Sequence, residues 1–329
     1  MNKIKKFYNS FYSKSTILAF LLLVIAASIL FADQNFLSVP NVLNILLKAA
    51  KNGGFLALGM TFVILCGEID LSVGAIFALS GVVMGTTGQI NPVLGIVAGL
   101  MVGVVSGALI GYMNTKMRIS SWIASLSMMF AVRGMITLVA KASVEIPEGI
   151  MSFASAKFLK GFLGVKAGVS ILIPIFFILV FTCMFISRHT KFGMGMYAVG
   201  GNTEAARMMG IDVDRIKIKA FICAGLIAAF SGVLLASSSG SATLSAGNVY
   251  ETYAIAMCAI GGVKLSGGEG KFSGTFFGIM IYFVINTIFT YLPEVSVHWQ
   301  SVIMGLLVLI SVGVQSEVFQ NLKKTKKND

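Results

Sequence analysis

Of the 329 residues, 57% are apolar and only 12% are charged, about half the charged share of a water-soluble domain. The net charge of +12 does not indicate nucleic-acid binding. The Lys and Arg residues fall in short stretches between apolar runs, as the positive-inside bias arranges them in membrane proteins. Two distant histidines, His189 and His298, and four cysteines without a Cys-x-x-Cys pair give no pattern for a metal or redox centre.

Hydropathy marks apolar spans at about 16–33, 41–66, 71–88, 92–113, 120–140, 168–187, 218–238, 250–263, 273–292 and 298–314, most of them near the roughly 20 residues that cross a bilayer. The first follows Lys3, Lys5, Lys6 and Lys14. It resembles a signal peptide without a small-residue cleavage site, so it reads as an uncleaved helix. Ten spans put both termini on one side. With that side cytoplasmic, Lys116, Arg118, the stretch Arg188 to Lys219, Lys264, Lys271 and the terminal lysines all lie inside, as the charge bias requires. The expectation is an all-α integral membrane protein, one transmembrane domain over 1–329 with about ten helices. A loop near 141–167 faces outward and a loop near 188–217 faces the cytoplasm.

In chain order, Asn52 is the first weak candidate for a solute pathway. Gly67 to Gly74 follows, with Glu68, Asp70 and Ser72. A carboxylate at bilayer depth is costly and must face protein or water. Asp70 is expected to cap a helix starting at Leu71, with Gly67 and Gly74 permitting a break. The segment is either such a cap at the cytoplasmic edge or a gate touching solute hydroxyls. Gly95, Gly99, Gly103, Gly107 and Gly111 recur every fourth residue and share one helix face. They suit close packing within the subunit or against another subunit. Ser125 and Asn286 are further pathway candidates, though buried polar groups of this kind also bridge helices.

The stretch 188–217 is the most polar. Asn202 to Met209 suits a short helix capped by Asn202 or Thr203, with Glu204 and two alanines in its first turn and Gly210 ending it. Leu265-Ser266-Gly267-Gly268-Glu269 looks like an ATPase signature, yet no phosphate-binding Gly-x-x-x-x-Gly-Lys-Ser/Thr loop exists. Those glycines read as a tight turn between two spans.

The run Glu204-Ala205-Ala206 followed by Gly210 resembles the EAA loop of ABC importer permeases. Phe192-Gly193, Tyr197 to Asn202, Arg207, Gly67 to Gly74 and Ala259 to Thr275 narrow the resemblance to ribose-type permeases of monosaccharide importers. Glu68 departs from a position where glycine is also common. The resemblance covers essentially the whole chain and implies an ABC importer permease bundle in a bacterial inner membrane. It implies that Gly201, Asn202, Glu204, Ala205, Ala206, Arg207 and Gly210 dock a separate ATPase with two fused nucleotide domains, which binds the ATP and Mg. It also implies an extracellular or periplasmic sugar-binding protein and a second permease copy. No cofactor is expected on this chain, and covalent catalysis is not expected of it. Permeases for nucleosides or branched-chain amino acids, and an ion-driven carrier using Glu251, are the alternatives.

Overall fold

The computed structural model describes residues 2–32, 35–154, 156–158, 168–292, 294–296 and 298–315. Helices dominate. The first half carries α1 (Asn2–Leu30), α2 (Val39–Lys51), α3 (Gly54–Leu65), α4 (Val73–Gly88), α5 (Pro92–Thr115), α6 (Ser121–Val139) and α7 (Glu148–Ala154). The second half carries α8 (Leu172–His189), α9 (Lys191–Gly201), α10 (Thr203–Met208), α11 (Val213–Ser239), α12 (Tyr250–Ile260), α13 (Phe272–Thr290) and α14 (His298–Gln315). The two-residue strands β1 (Val144–Glu145) and β4 (Ser241–Ala242) pair antiparallel, as do β2 (Lys157–Phe158) and β3 (Val169–Ser170).

Among the described residues five helices, α5, α6, α8, α11 and α13, are long and apolar enough to cross a membrane. The centre of the bundle is α11, which packs against α5, α4 and α3. The glycine ladder makes this packing close. A Cβ on Gly95 would lie 2.7 Å from the Gly88 backbone of α4, and one on Gly99 would lie 2.8 Å from the Ser80 carbonyl. On Gly103 and Gly107 it would strike the carbonyls of Gly225 and Phe221 in α11, and on Gly111 it would reach Ile218 at 2.8 Å. This face meets α4 and α11 within the subunit. Asn91 opens α5, its side chain accepting from the amides of Val93 and Leu94, with Pro92 in the first turn, where a missing N–H costs nothing.

Several expected boundaries need correction. The span 41–66 is two helices. At Gly53 the backbone turns left-handed, φ +98°, a conformation open to glycine, and it separates α2 from α3. The span 250–263 forms only α12, of 11 residues, about 16 Å of rise. The helix after Asp70 starts at Val73 rather than Leu71, with Ser72 at the cap position and no side-chain cap bond. Asp70 instead accepts from the amide and hydroxyl of Ser72, at 2.8 and 2.6 Å. The stretch 188–217 is not an open loop but α9, α10 and the first turn of α11.

Candidate functional site

The three stretches that carry the family resemblance lie far apart in sequence and meet at one end of the bundle. Gly200 at the end of α9 packs so closely that a Cβ there would meet the Leu65 carbonyl and the Gly268 amide. One on Gly267 would lie 2.6 Å from Gly67. The Gly268 amide donates to the Leu65 carbonyl at 3.0 Å, crossing from the turn after α12 to the end of α3. That turn is tight, as expected. The Lys264 amide donates to the Glu269 carbonyl at 2.9 Å, and Gly262, Gly267, Gly268 and Gly270 all have positive φ. Backbone touches backbone here, so side chains are excluded and the three segments are direct neighbours.

From this hub projects α10. The Asn202 side chain accepts from the Ala205 amide at 2.9 Å, satisfying an orphan donor of the first turn. Gly210, at φ +81°, ends the helix. Ala206 is buried with Val199 of α9 and Val213 of α11, which clips α10 to its neighbours. Gly201, Asn202, Glu204, Arg207 and Gly210 are exposed and Ala205 is half-buried. Met208 and Met209 stand 83% and 69% exposed. They leave two adjacent soft, adaptable apolar side chains bare on the surface of α10. Behind α9, burial pushes the Tyr197 phenol up, and Ser187 and Arg188 partly offset this.

Ion pairs tie α10 and α11 to the rest of this end. Asp214 meets Lys116 of the α5–α6 turn at 2.9 Å and Arg207 of α10 at 3.6 Å. Lys217 of α11 pairs with Glu68, and both side chains are largely shielded from water. The sequence marked Glu68 but not its partner.

Beyond the hub, residues 68–72 climb alongside α6. The Ile69 amide donates to Ser121 Oγ at 3.3 Å, and Ser125 Oγ lies 3.5 Å from the Ile69 carbonyl. Glu68, Asp70, Ser72 and Ser125 are therefore brought together. Asp70 is fully buried, and its Oδ2 has no partner among the described residues. Asn52 is elsewhere, exposed at the end of α2 with its amide donating to Lys48. Asn286 is half-buried toward the far end of α13. Between α3, α12 and α13, Thr61 Oγ1 lies 2.9 Å from Thr275 Oγ1, and Cys258 Sγ donates to the Ala57 carbonyl.

Two charged residues in apolar spans, one of them the ion-carrier candidate Glu251, take on a defined place. Arg133 of α6 donates through Nη1 to the Ala246 carbonyl at 3.0 Å. Glu251 opens α12 with its Oε2 unpartnered among the described residues. Their signal in the sequence was their charge within apolar spans. Beside the stretch 241–246 lies a cavity of about 90 Å³, far below the ~300 Å³ at which ligand pockets begin. Among the described residues no group of three or more His, Cys, Asp or Glu could hold a metal.

A close glycine hub, a clipped surface helix and polar backbone inside an apolar bundle are the parts of a membrane transport protein. The chain matches a family model described as the permease component of branched-chain amino acid transport systems over residues 41–312, and it belongs to that permease family. It is a multi-pass membrane protein and a transport subunit, not an enzyme. It is 40% identical to the ribose import permease protein of Bacillus subtilis over 299 residues, 90% of each chain. To the ribose import permease protein of Escherichia coli K12 it is 33% identical over 300 residues, 90% of this chain and 92% of that one. The xylose transport system permease protein of Escherichia coli K12 is 31% identical over 345 residues, 86% of each. No solved structure matches the chain.

Proposed function

We propose that this chain is the membrane-spanning subunit of an ATP-driven, binding-protein-dependent importer of a monosaccharide of the ribose or xylose kind. The observation that carries the reading is α10. It is a short capped helix, exposed at the basic end of the bundle and clamped to the hub where the three motifs meet. An ATPase with two fused nucleotide domains, which binds ATP and Mg, pushes on Glu204, Arg207, Met208 and Met209. The glycine hub passes the push to the segments on either side of the pathway. This end faces the cytoplasm of a bacterial inner membrane, in keeping with Lys116, Arg118, Lys264 and Lys271 lying there. The chain makes about ten passes, counting α2–α3 as one and the stretch 240–260 as one, with both termini cytoplasmic. A sugar-binding protein docks at the other end.

The similarity to ribose and xylose permeases supports a sugar over the branched-chain amino acids of the family description. The polar wall described below opens away from the chain's own core, so a second copy closes the pathway. The small cavity fits a pathway that passes its solute on without storing it.

The test is uptake by vesicles holding the permease, its ATPase and its binding protein. Labelled ribose or xylose is expected to enter only with ATP and to keep entering when a proton uncoupler is added. Uptake that ignores ATP and collapses with the uncoupler would mean an ion-driven carrier instead.

A further inference from the structure

Counted from the hub, α3 has 12 residues and α12 has 11, so each rises about 16–18 Å, half of a hydrocarbon core ~30 Å thick. Both start near mid-depth, and they start together: a Cβ on Gly53 would lie 3.2 Å from the Tyr250 ring. Leading into α12, residues 243–249 are irregular, held by turn bonds from Ala246 to Thr243 and from Asn248 to Ser245. Irregular backbone at this depth persists only where protein covers it or water lines it. It is not covered. Thr243, Ser245, Asn248 and Val249 are exposed. Val249 also holds φ +65°, a strained setting for a β-branched side chain that points to function when it is found.

Charge gathers at the same place. Arg133 reaches from α6 to the Ala246 carbonyl, a bond that occupies one of its five donors, and it lies within electrostatic reach of Glu251. No direct ion pair joins the two among the described residues. Glu251 Oε2 has no partner among the described residues. A Cβ on Gly74 would collide with that carboxylate, so glycine there makes room for it. An aromatic column stands beside it: Phe77 and Tyr250 at 5.5 Å, Tyr250 and Tyr253 at 6.3 Å, Tyr253 and Tyr282 at 5.5 Å between ring centres. Ionisable groups at bilayer depth mark a solute path.

We infer that Arg133, Glu251 and Asn248 form a contact site for the hydroxyls of a passing monosaccharide, half-way through the membrane. The carboxylate accepts from hydroxyls, the guanidinium and amide donate to them, and the tyrosine faces take the apolar C–H side of the ring. Thr243, Ser245 and Asn248 put hydroxyl and amide groups on the wall beside Val249. This inference rests on the reading of the chain as a sugar permease.

The experiment uses the whole complex in vesicles, with labelled ribose, xylose, galactose, 2-deoxyribose and leucine as probes. Wild type, Glu251→Gln, Arg133→Lys and Asn248→Ala are compared, and co-purification of the ATPase checks folding. The preferred sugar is expected to lose about tenfold in uptake relative to the others, since a hydrogen bond to a charged group is worth about that factor. Discrimination against 2-deoxyribose is expected to shrink in the same variants. Equal loss for every sugar, with ratios unchanged, would assign these residues a purely structural role and overturn the inference. So would wild-type levels and ratios in all three. Should Glu251→Gln fail to assemble, Asn248→Ala on the exposed turn carries the same comparison. ATP-driven uptake of leucine and of no sugar by wild type would instead remove the sugar reading itself.

Discussion

Glu68 stands where the resembled permeases also accept glycine, and its partner Lys217 explains how a charge is held there. The pair joins the segment after α3 to the helix that follows α10, and Asn114 adds a weak bond at 3.5 Å. Removing one partner of a buried ion pair strands the other, at a cost of about 3–5 kcal/mol when water is fully excluded. Some exposure remains here, so Lys217→Met is expected to cost nearer ~2 kcal/mol, read as a lowered melting temperature in detergent. The double change Glu68→Gln with Lys217→Met is expected to recover most of that loss. A double variant no more stable than Lys217→Met would show that the two side chains do not compensate each other. Glu68 was legible as a costly charge in an apolar setting. Lys217 was not legible as its partner, because 149 residues separate them and no local pattern encodes a contact at that distance.

Among the elements, α5 shows what a periodic pattern can reveal. Small residues every fourth position define a face, and the structure fills that face with the backbones of α4 and α11. Gly103→Leu would drive a side chain into the Gly225 carbonyl. Overpacking of a core costs roughly 1–3 kcal/mol and more against backbone, so loss of folded yield is expected. Gly134→Ala on α6, where no atom lies within 4 Å of an added Cβ, is expected to leave yield and melting unchanged. Normal yield for Gly103→Leu in size-exclusion chromatography would count against the close α5–α11 contact. The short helix α10 was equally legible, since its cap, first turn and terminal glycine all sit within nine residues of sequence. The break between α2 and α3 was missed although Lys51-Asn52-Gly53-Gly54 carries a turn signal, because hydropathy averaged over a span does not register one residue turning left-handed. The cap expected from Asp70 was missed by two residues, since its bonds to Ser72 close an Asx turn before α4 begins.

At the scale of the whole molecule, the basic turns at Lys116, Lys264 and Lys271 gather with α10 at one end, while β1 and β4 pair at the other. Cysteines introduced at Met208 and at Glu145, the native four being mostly buried, are expected to react with an impermeant maleimide from opposite faces of the membrane. Labelling of both from the same face would refute the proposed sidedness. The sequence by itself determined that lipid is the solvent, where the long apolar helices lie, and that a short capped helix follows α9. Each of these depends on composition or on neighbours a few residues apart. Only the tertiary structure decided that Leu65, Gly200 and Gly268 touch, that α3 and α12 begin side by side at Gly53 and Tyr250, and that Arg133 reaches the Ala246 carbonyl of an exposed turn. Those facts come from which backbones approach closely enough to exclude side chains, and that is settled when distant segments pack, not by any run of residues alone.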